Sequence, residues 1–388
     1  MRYVTAGEAH GPALTAVVEG VPAGLRITAE SIDADLARRN SGYGRAEKDA
    51  GVSDKVEIIS GVRFGATLGT PVTFRIDNPG WRTWRNLMSV EGGRVPDDAR
   101  TVVPCPGHAD LVGVLKNNFN DCLNVAERAT SRETAARVAA SSIAREFLAQ
   151  MGVEIFSYVK SIGSVSMRDD SVENALLYTP LDIEVSEVRC PCVRTTRMMV
   201  KEIDQAMAAG DTLGGSFRIV VCGLLPGVGG YATGADRLTS QIGAALFSMP
   251  GITGVEFGTG FDIAGQMGSE VYDDIIHDRQ GFSRSTNNAG GLEGGMTSGM
   301  PLIISAAVRP AYPSNKSIAS LNMGTFDKAD ATLIHTDTCY VPSAAVIAEG
   351  EVAFALANAY LNKFGCDNMT DIMAAVNSYT QRLKTMQR

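Results

Sequence analysis

Residues 104–151 read PCPGHADLVGVLKNNFNDCLNVAERATSRETAARVAASSIAREFLAQM, and this stretch decides the fold. A Pro106-Gly107 turn presents His108 and Asp110, and a polar, charge-rich connection follows. Thr130-Ser131-Arg132-Glu133 then fits a capping box, with a hydroxyl at the N-cap and a carboxylate three residues on. The spacing predicts a helix from there to about Met151, with Val138, Ile143, Phe147 and Met151 as its buried stripe. Ala135, Ala136, Ala139 and Ala140 leave room for a second helix to pack closely. A titratable imidazole at a turn, backed by such a helix, is the pattern of a catalytic scaffold.

Toward the N-terminus, residues 1–8 start as a strand that Gly7-Glu8-Ala9-His10-Gly11 breaks. A histidine between small residues just after a strand suits a cleft, and it suits a surface loop as well. Leu14–Glu19 is apolar and β-branched, hence a strand, and Val21-Pro22-Ala23-Gly24 turns it. Thr28 caps a helix to Arg39, with Ile32 and Leu36 on one face. That helix runs into Arg38-Arg39-Asn40-Ser41-Gly42-Tyr43-Gly44-Arg45, with Lys48 close behind. Guanidinium forks match phosphate and carboxylate oxygens, and glycines let a backbone approach a ligand. The cluster therefore points to a small anionic substrate. Basic residues also favour helix C-termini, and the sequence leaves both readings open. Lys55–Phe64 and Pro71–Ile76 read as strands, and residues 78–104 as irregular chain packed down by Trp81 and Trp84.

Toward the C-terminus, strands are expected over Val153–Val165, a surface excursion over 166–197, and a helix over Thr196–Ala209. A strand at Phe217–Cys222 and a helix at Gly234–Met249 follow. Val17-Val18-x-Gly20, a Pro/Gly turn and a helix recur here as Val220-Val221-x-Gly223, a Pro/Gly turn and a helix, an echo of an internal duplication. Gly258-x-Gly260 lacks the third glycine of a dinucleotide fingerprint, and no P-loop occurs. The glycine-dense run at 284–299, with Asn287 and Asn288, reads as a ligand loop. Pro301–Val308 is β-rich, and helices follow at Ala344–Leu361 and Asp371–Thr385.

A net charge of −8 over 388 residues argues against general nucleic-acid binding, which needs a basic face. No run of about 18 apolar residues predicts a membrane span, and no leader pattern is seen at the start. A cytoplasmic location is expected, without membrane or nucleic-acid partners. The seven cysteines are scattered, without a CxxC pair, and are expected as reduced thiols. His335 and Asp337 lack a third ligand nearby, so no metal is expected.

Several motifs now stand in order along the chain. They are Gly7-Glu8-Ala9-His10-Gly11, Arg39-x-x-Gly42-Tyr43-Gly44-Arg45, Pro106-Gly107-His108-Ala109-Asp110-Leu111 and Glu127-Arg128-x-x-x-Arg132-Glu133-Thr134-Ala135. Gly210-Asp211-x-x-Gly214-Gly215, Thr286-Asn287-Asn288-x-Gly290-Gly291-x-Glu293-Gly294-Gly295 and Asp337 before a helix complete them. Together they resemble the chorismate synthase family across essentially the whole chain. The resemblance implies an α+β fold, a β-α-β sandwich with central helices between two antiparallel sheets. It implies a single domain over 1–388, with pseudo-halves at about 1–215 and 216–388. It also implies a homotetramer that removes phosphate and a ring proton from 5-enolpyruvylshikimate-3-phosphate in a 1,4-trans elimination, the last step of the shikimate pathway. Reduced FMN is required, although nothing is oxidised overall. No added segment suggests a built-in flavin reductase, so an external flavin reductase, with NADPH as the source of reducing equivalents, is expected.

Carried over by position, the resemblance makes His10 the acid on the leaving phosphate, His108 the acid on reduced flavin and Asp337 an aid to proton transfer. Arg39, Arg45 and Arg132 hold the substrate, with Lys48 and Thr130 nearby. Arg128, Ala129, Thr130, Pro250, Gly251, Gly294, Arg309, Pro310, Ala311, Tyr312, Pro313 and His335 fall where the family contacts FMN. The chain also departs from the family. Cys105 and Leu123 stand where arginines are usual, His335-Thr336 replaces Arg-His, Ser285 replaces Arg, Ala9 replaces Ser, and 309–313 differs. A charged hydrogen bond is worth ~1.5–3 kcal/mol, so two losses at one anion site weaken binding ~100-fold. The alternative expectation is therefore a catalytically impaired or non-enzymatic flavin-binding relative.

Overall fold

The computed structural model describes residues 1–46, 54–93, 95–168, 171–278, 281–312, 316–331 and 336–386. The first sheet contains β1 (Arg2–Ala6), β2 (Ala13–Glu19), β3 (Val56–Ser60) and β4 (Val72–Asp77), in the order β1-β2-β4-β3 and antiparallel throughout. Helix α1 (Ala29–Asn40) lies between β2 and β3 in sequence. Its cap is the expected one, Thr28 accepting from Ser31 N at 3.1 Å. The second sheet contains β5 (Glu154–Ile162), β6 (Gly215–Cys222), β7 (Ile252–Phe257) and β8 (Leu302–Val308), in the order β7-β8-β6-β5, with Val165–Ser166 beyond β5. The other main helices are α2 (Asp110–Asn117), α3 (Thr134–Gln150), α4 (Val193–Ala208), α5 (Leu238–Phe247), α6 (Val341–Phe364) and α7 (Met369–Met386).

The two sheets are built alike. Each starts with an antiparallel pair, continues through a helix to the far edge strand, and returns to the centre. The echo seen in sequence marks a shared turn. Thr67 Oγ1 donates to Pro22 O at 2.6 Å and accepts from Leu25 N at 3.0 Å. Thr297 Oγ1 does the same with Leu225 O at 2.6 Å and Val228 N at 2.9 Å. Both threonines sit in a Gly-x-Thr-x-Gly-x-Pro run, Gly65–Pro71 and Gly295–Pro301. Pseudo-halves divided at about 215 would put β5 with the first half, whereas its long-strand partner is β6 of the second sheet.

The helices α3 and α6 fill the space between the sheets. β2 alternates, with Leu14, Ala16 and Val18 buried, and Val72, Phe74 and Ile76 of β4 join them. That pattern belongs to a sheet covered on one face. In β5, β6 and β8 the burial is nearly continuous, because the second sheet is covered on both faces. The outer cover is the segment expected as a surface excursion. It carries a turn at Glu173–Leu177 and a short helix at Pro180–Glu184, and it buries Val172, Ala175, Ile183, Val188 and Cys190.

α3 is buried on more than the expected stripe. Besides Val138, Ile143 and Phe147, it buries Ala135, Ala136, Ala139, Ala140, Ser141, Ser142 and Ala144, because α6 crosses it closely. The crossing is at Gly350, where an added Cβ would lie 2.1 Å from Ser141 Oγ and 3.0 Å from its Cβ. Gly350→Ala is expected to cost about 1–3 kcal/mol by overpacking. Thermal melting checks this, and Ser141→Gly in the same chain should recover part of the loss. α6 is long and apolar enough to cross a membrane, yet it is buried within its own chain along most of its length.

Two further expectations change here. The connection after His108 contains a helix, α2, ended by Asn118 in a left-handed conformation (φ 55°). The capping box does not close. Thr130 accepts from Arg132 N at 3.4 Å to start a tight turn over Ser131–Glu133, and Glu133 instead takes Arg137 and Thr5.

Candidate active site

The β1–β2 turn presents His10. Gly7 has φ +111°, and a Cβ there would lie 2.5 Å from Ala13 O, so the turn needs glycine. Four clamps hold this turn. Ala9 N donates to Glu127 O at 2.8 Å, and His10 N to Glu127 Oε2 at 2.7 Å. Arg128 donates to Gly7 O at 3.1 Å and to Thr5 O at 2.9 Å. Asn78, at the end of β4, donates to both Glu8 O and Gly11 O. The His10 ring lies 2.8 Å from Glu127 Oε1 through Nδ1 and stacks on Trp84 at 4.0 Å.

Asn78 also joins this turn to the arginines, since its Oδ1 accepts from Arg132 Nε at 3.0 Å. Arg132 Nη1 meets both oxygens of Asp54, at 2.7 and 2.8 Å. Arg39 lies beside it, donating to Thr134 Oγ1 and Ser131 O at 2.9 Å each, with Asp54 at 3.7 Å. Arg45 donates to Asp337 Oδ2 at 2.8 Å, and Ala46 N reaches Oδ1 at 2.9 Å. Burial, then the guanidiniums of Arg45 and Arg132, push Arg39 down to about 10. It remains a cation at neutral pH, one that a further anion would favour. Arg45 Nε is buried with no partner among the described residues. Among the described residues three guanidiniums thus meet with Asp54 and Asp337 as their carboxylates, one cation more than anions.

The expected glycine role is different. Gly42 and Gly44 allow the chain to approach protein: added Cβ atoms would lie 3.0 Å from Pro342 Cβ and 3.2 Å from Cys339. Thr338 N donates to Gly44 O at 2.8 Å. The two glycines therefore dock Arg45 onto the start of α6, beside Asp337.

His108 is held at both ring nitrogens. Nδ1 pairs with Asp110 Oδ1, and Nε2 lies 2.8 Å from Ala129 O. A carboxylate and a carbonyl only accept, so both nitrogens must donate, and His108 is an imidazolium. Its proton affinity is raised, first by the hydrogen bond to Asp110. Cys105, standing where the resemblance leads one to expect an arginine, is a neutral thiol. Burial, then Asp110 beside it, pushes the thiol up to about 12.

A second wall adjoins His108. Arg309, at the end of β8, donates to Gly107 O at 3.1 Å, and its backbone N to Gly251 O at 2.9 Å. Tyr340 donates to Pro250 O at 3.1 Å, and a Cβ at Gly251 would lie 1.7 Å from its hydroxyl. The strap onward from Arg309 is tied down, Ala311 O accepting from Thr212 Oγ1 and Tyr312 O from Thr336 Oγ1. This gives the Gly210–Gly215 motif its place, since Gly214 lies under the start of the strap.

The structure therefore brings His10, Arg39, Arg45, Arg132 and Asp337 into one cluster, with His108, Ala129, Pro250, Gly251 and Arg309 along the adjoining wall. Arg128 and Thr130 are engaged in holding the chain. Gly294 lies on the hairpin leading into β8, at the opposite end of that strand from Arg309. The Asn287-Asn288 loop, expected to line a ligand pocket, is spent on itself. Asn287 Nδ2 donates to Pro301 O, and Asp273 takes Thr286 Oγ1, Asn288 N and Ala289 N. Lys48, Pro313 and His335 lie outside the described residues. Sequence reasoning gave no role to Asp54, Asn78 or Glu127, and gave Trp84 only the packing of its loop. Glu127 stood inside a quoted motif, whereas Asp54 and Asn78 carried no pattern.

Asn78→Ala removes the link between the His10 turn and Arg132. It is expected to raise KM by about 10-fold or more, the worth of one charged hydrogen bond. Steady-state kinetics check this, and unchanged KM contradicts the link.

A partly buried cluster of guanidiniums beside two carboxylate-paired histidines defines an enzyme that handles a small, multiply charged anion by proton transfer. The comparisons with known proteins agree. A family model described as chorismate synthase matches residues 1–361. The chorismate synthase of Desulforudis audaxviator (strain MP104C) is 44% identical over 390 residues, covering 99% of this chain and 98% of that one. That of Bacillus velezensis is 41% identical, covering 97% and 98%. A crystal structure of chorismate synthase superposes with a TM-score of 0.79 at 34% identity, covering 99% of this chain and 98% of that one. The chain belongs to the chorismate synthase family. It is a lyase of aromatic amino acid biosynthesis, eliminating phosphate from 5-enolpyruvylshikimate-3-phosphate to give chorismate.

Proposed function

We propose that the elimination takes place between the arginine cluster and the His108–Arg309 wall, on bound reduced FMN. The observation that carries this is the charge imbalance of Arg39, Arg45 and Arg132 against Asp54 and Asp337. An anionic group of the substrate matches the one unpaired cation, and Arg45 Nε, without a partner among the described residues, is free to donate to it. His10, at the mouth of the cluster, gives its proton to the departing phosphate. Asp337, fixed by Arg45 and Ala46 N, accepts and passes on the ring proton. Both are tasks for groups held by neighbours in one orientation.

The residues present fit FMN. Arg309 offers a phosphate partner, and the His108 imidazolium offers a cation to a reduced, electron-rich ring. Ala129, Pro310, Ala311 and Tyr312 extend this wall, and Gly294 would join it only from elsewhere in the assembly. When bound, reduced FMN supplies electron density that eases phosphate departure and a basic site for the ring proton. NADPH and an external flavin reductase supply the reduced flavin, and the protein works as a homotetramer in the cytoplasm.

Anaerobic incubation with chemically reduced FMN and substrate tests the reading through the appearance of chorismate absorbance. Tight FMN binding without turnover would overturn it. Light scattering should give about four times the 41.0 kDa of one chain.

A further inference from the structure

We propose that Glu127 is the positioning residue for His10 and decides which ring nitrogen carries the transferable proton. The inference rests on the reading of His10 as the acid that meets the leaving phosphate. Both oxygens of Glu127 are spent on His10, Oε2 on its backbone N at 2.7 Å and Oε1 near ring Nδ1 at 2.8 Å. The Glu127 side chain is 7% exposed and that of His10 30%. The pair therefore occupies Nδ1 and leaves Nε2 as the ring nitrogen with no hydrogen-bond partner among the described residues. Trp84 covers one face of the ring, nearly parallel at 17°.

An ionised carboxylate brings no hydrogen, so Nδ1 must carry one. Neutral His10 is then the Nδ1–H form, with its lone pair on Nε2. An imidazole free in water favours the opposite form. When His10 takes up a proton, it goes to Nε2. In the elimination the Nε2–H bond breaks and an O–H bond forms on the departing phosphate. His10 returns to the Nδ1–H form with its Glu127 contact intact, ready to take up the next proton at the same atom. Without Glu127 the neutral ring reverts to Nε2–H, and the edge facing the substrate no longer cycles. The indole face of Trp84 favours the cationic ring and fixes its plane.

The test combines ¹⁵N NMR of histidine-labelled protein with kinetics. The chain has four histidines, and His10→Gln identifies the His10 signals by their loss. The neutral His10 ring of the unsubstituted enzyme should show a protonated Nδ1 and a bare Nε2. Glu127→Ala should invert that pattern and lower kcat about 100-fold, with KM changed less than about threefold. Glu127→Gln has one oxygen for two donors; with that oxygen on His10 N its NH2 faces Nδ1, so it too should invert the pattern and lower kcat. This second variant serves if Glu127→Ala does not fold. An Nε2–H form in the unsubstituted enzyme, or full turnover in Glu127→Ala with the form inverted, overturns the proposal. Full turnover in His10→Gln overturns the role of His10 itself, which is a separate failure.

Discussion

Asp110→Asn is expected to lower kcat about 100-fold and to move the titration of His108 down. In the structure the His108 ring has two partners, Asp110 Oδ1 and Ala129 O, and neither carries a hydrogen to give. The imidazolium satisfies both, whereas the neutral ring leaves one nitrogen's lone pair facing an acceptor. The hydrogen bond to Asp110 is the largest cause of the raised proton affinity, acting against burial, which lowers it. Asp110 shows the reverse: burial alone would raise its carboxyl, and the hydrogen bond to His108 holds it low. Asparagine keeps an oxygen for Nδ1 but brings no charge, so the main cause disappears and burial remains. The sign follows. The raised His108 value means that pairing contributes stability in full below the ordinary histidine range, about 6.5, and loses it as pH rises through the folded value. The depressed Asp110 value means a contribution present above the ordinary carboxylate range and lost as pH falls through its folded value. The pair is therefore strongest on the acid side of neutrality, down to that carboxylate range. An NMR titration of His108 checks the prediction, alongside the pH profile of kcat. An unmoved titration in Asp110→Asn sinks it.

That pairing shows where sequence reasoning reached and where it stopped. Elements set by local chemistry were legible: the apolar, β-branched run Leu14–Glu19, the Thr28 cap, and the helix over Ala344–Leu361. His108 and Asp110 were legible as a presented pair because two residues apart at a turn is a local relation. The clamps on His10 were not, since Glu127 lies 117 residues away and its carboxylate reads like any surface charge. Asp54 and Asn78 are worse cases, as a lone Asp before a strand and a lone Asn after one fit any turn. Gly42 and Gly44 carried a true signal with the wrong addressee, because close backbone approach looks the same toward a ligand and toward α6. The segment 166–197 reads as surface because it is rich in charge, yet its spaced apolar residues Val172, Ala175, Ile183 and Val188 cover a sheet face. The turn shared by the two sheets was half visible. Its decisive marker, Gly-x-Thr-x-Gly-x-Pro, recurs in hairpins whose distances from the preceding strands differ between the halves.

Removing the Glu349 carboxylate, by Glu349→Ala or Glu349→Leu, is expected to destabilise the protein by about 3–5 kcal/mol, lowering Tm by about 4–6 °C for a chain of this size. Glu349 is fully buried in the middle of α6 and gathers three guanidiniums. Arg38 comes from α1 at 2.9 Å, Arg145 from α3, and Arg189 from the segment over the second sheet at 3.3 Å. Ser157 of β5 adds a hydroxyl at 2.6 Å. Burial alone would push the Glu349 carboxyl up from its ordinary 4.5. Arg38, Arg145 and Arg189 together outweigh burial and hold it at about 2. Arg38 and Arg189 keep Glu184 after the substitution, and Arg38 and Arg145 keep Asp35, but the cations then outnumber their buried partners. For that reason leucine should be no better than alanine, although it fills more of the space. The pH dependence has a definite sign. Because the folded value is depressed, the contribution of Glu349 is whole above about 4.5 and is lost as pH falls from there through about 2. The gap in Tm between the unsubstituted protein and Glu349→Leu should therefore narrow across that window, and a gap independent of pH would contradict the assignment. The effect reaches the pocket through adjacency. Arg38 faces Glu349 and Arg39 faces Thr134 from the same turn of α1. Loosening the first should let the second move, and KM for the anionic substrate should rise while the form of the His10 ring stays as it was.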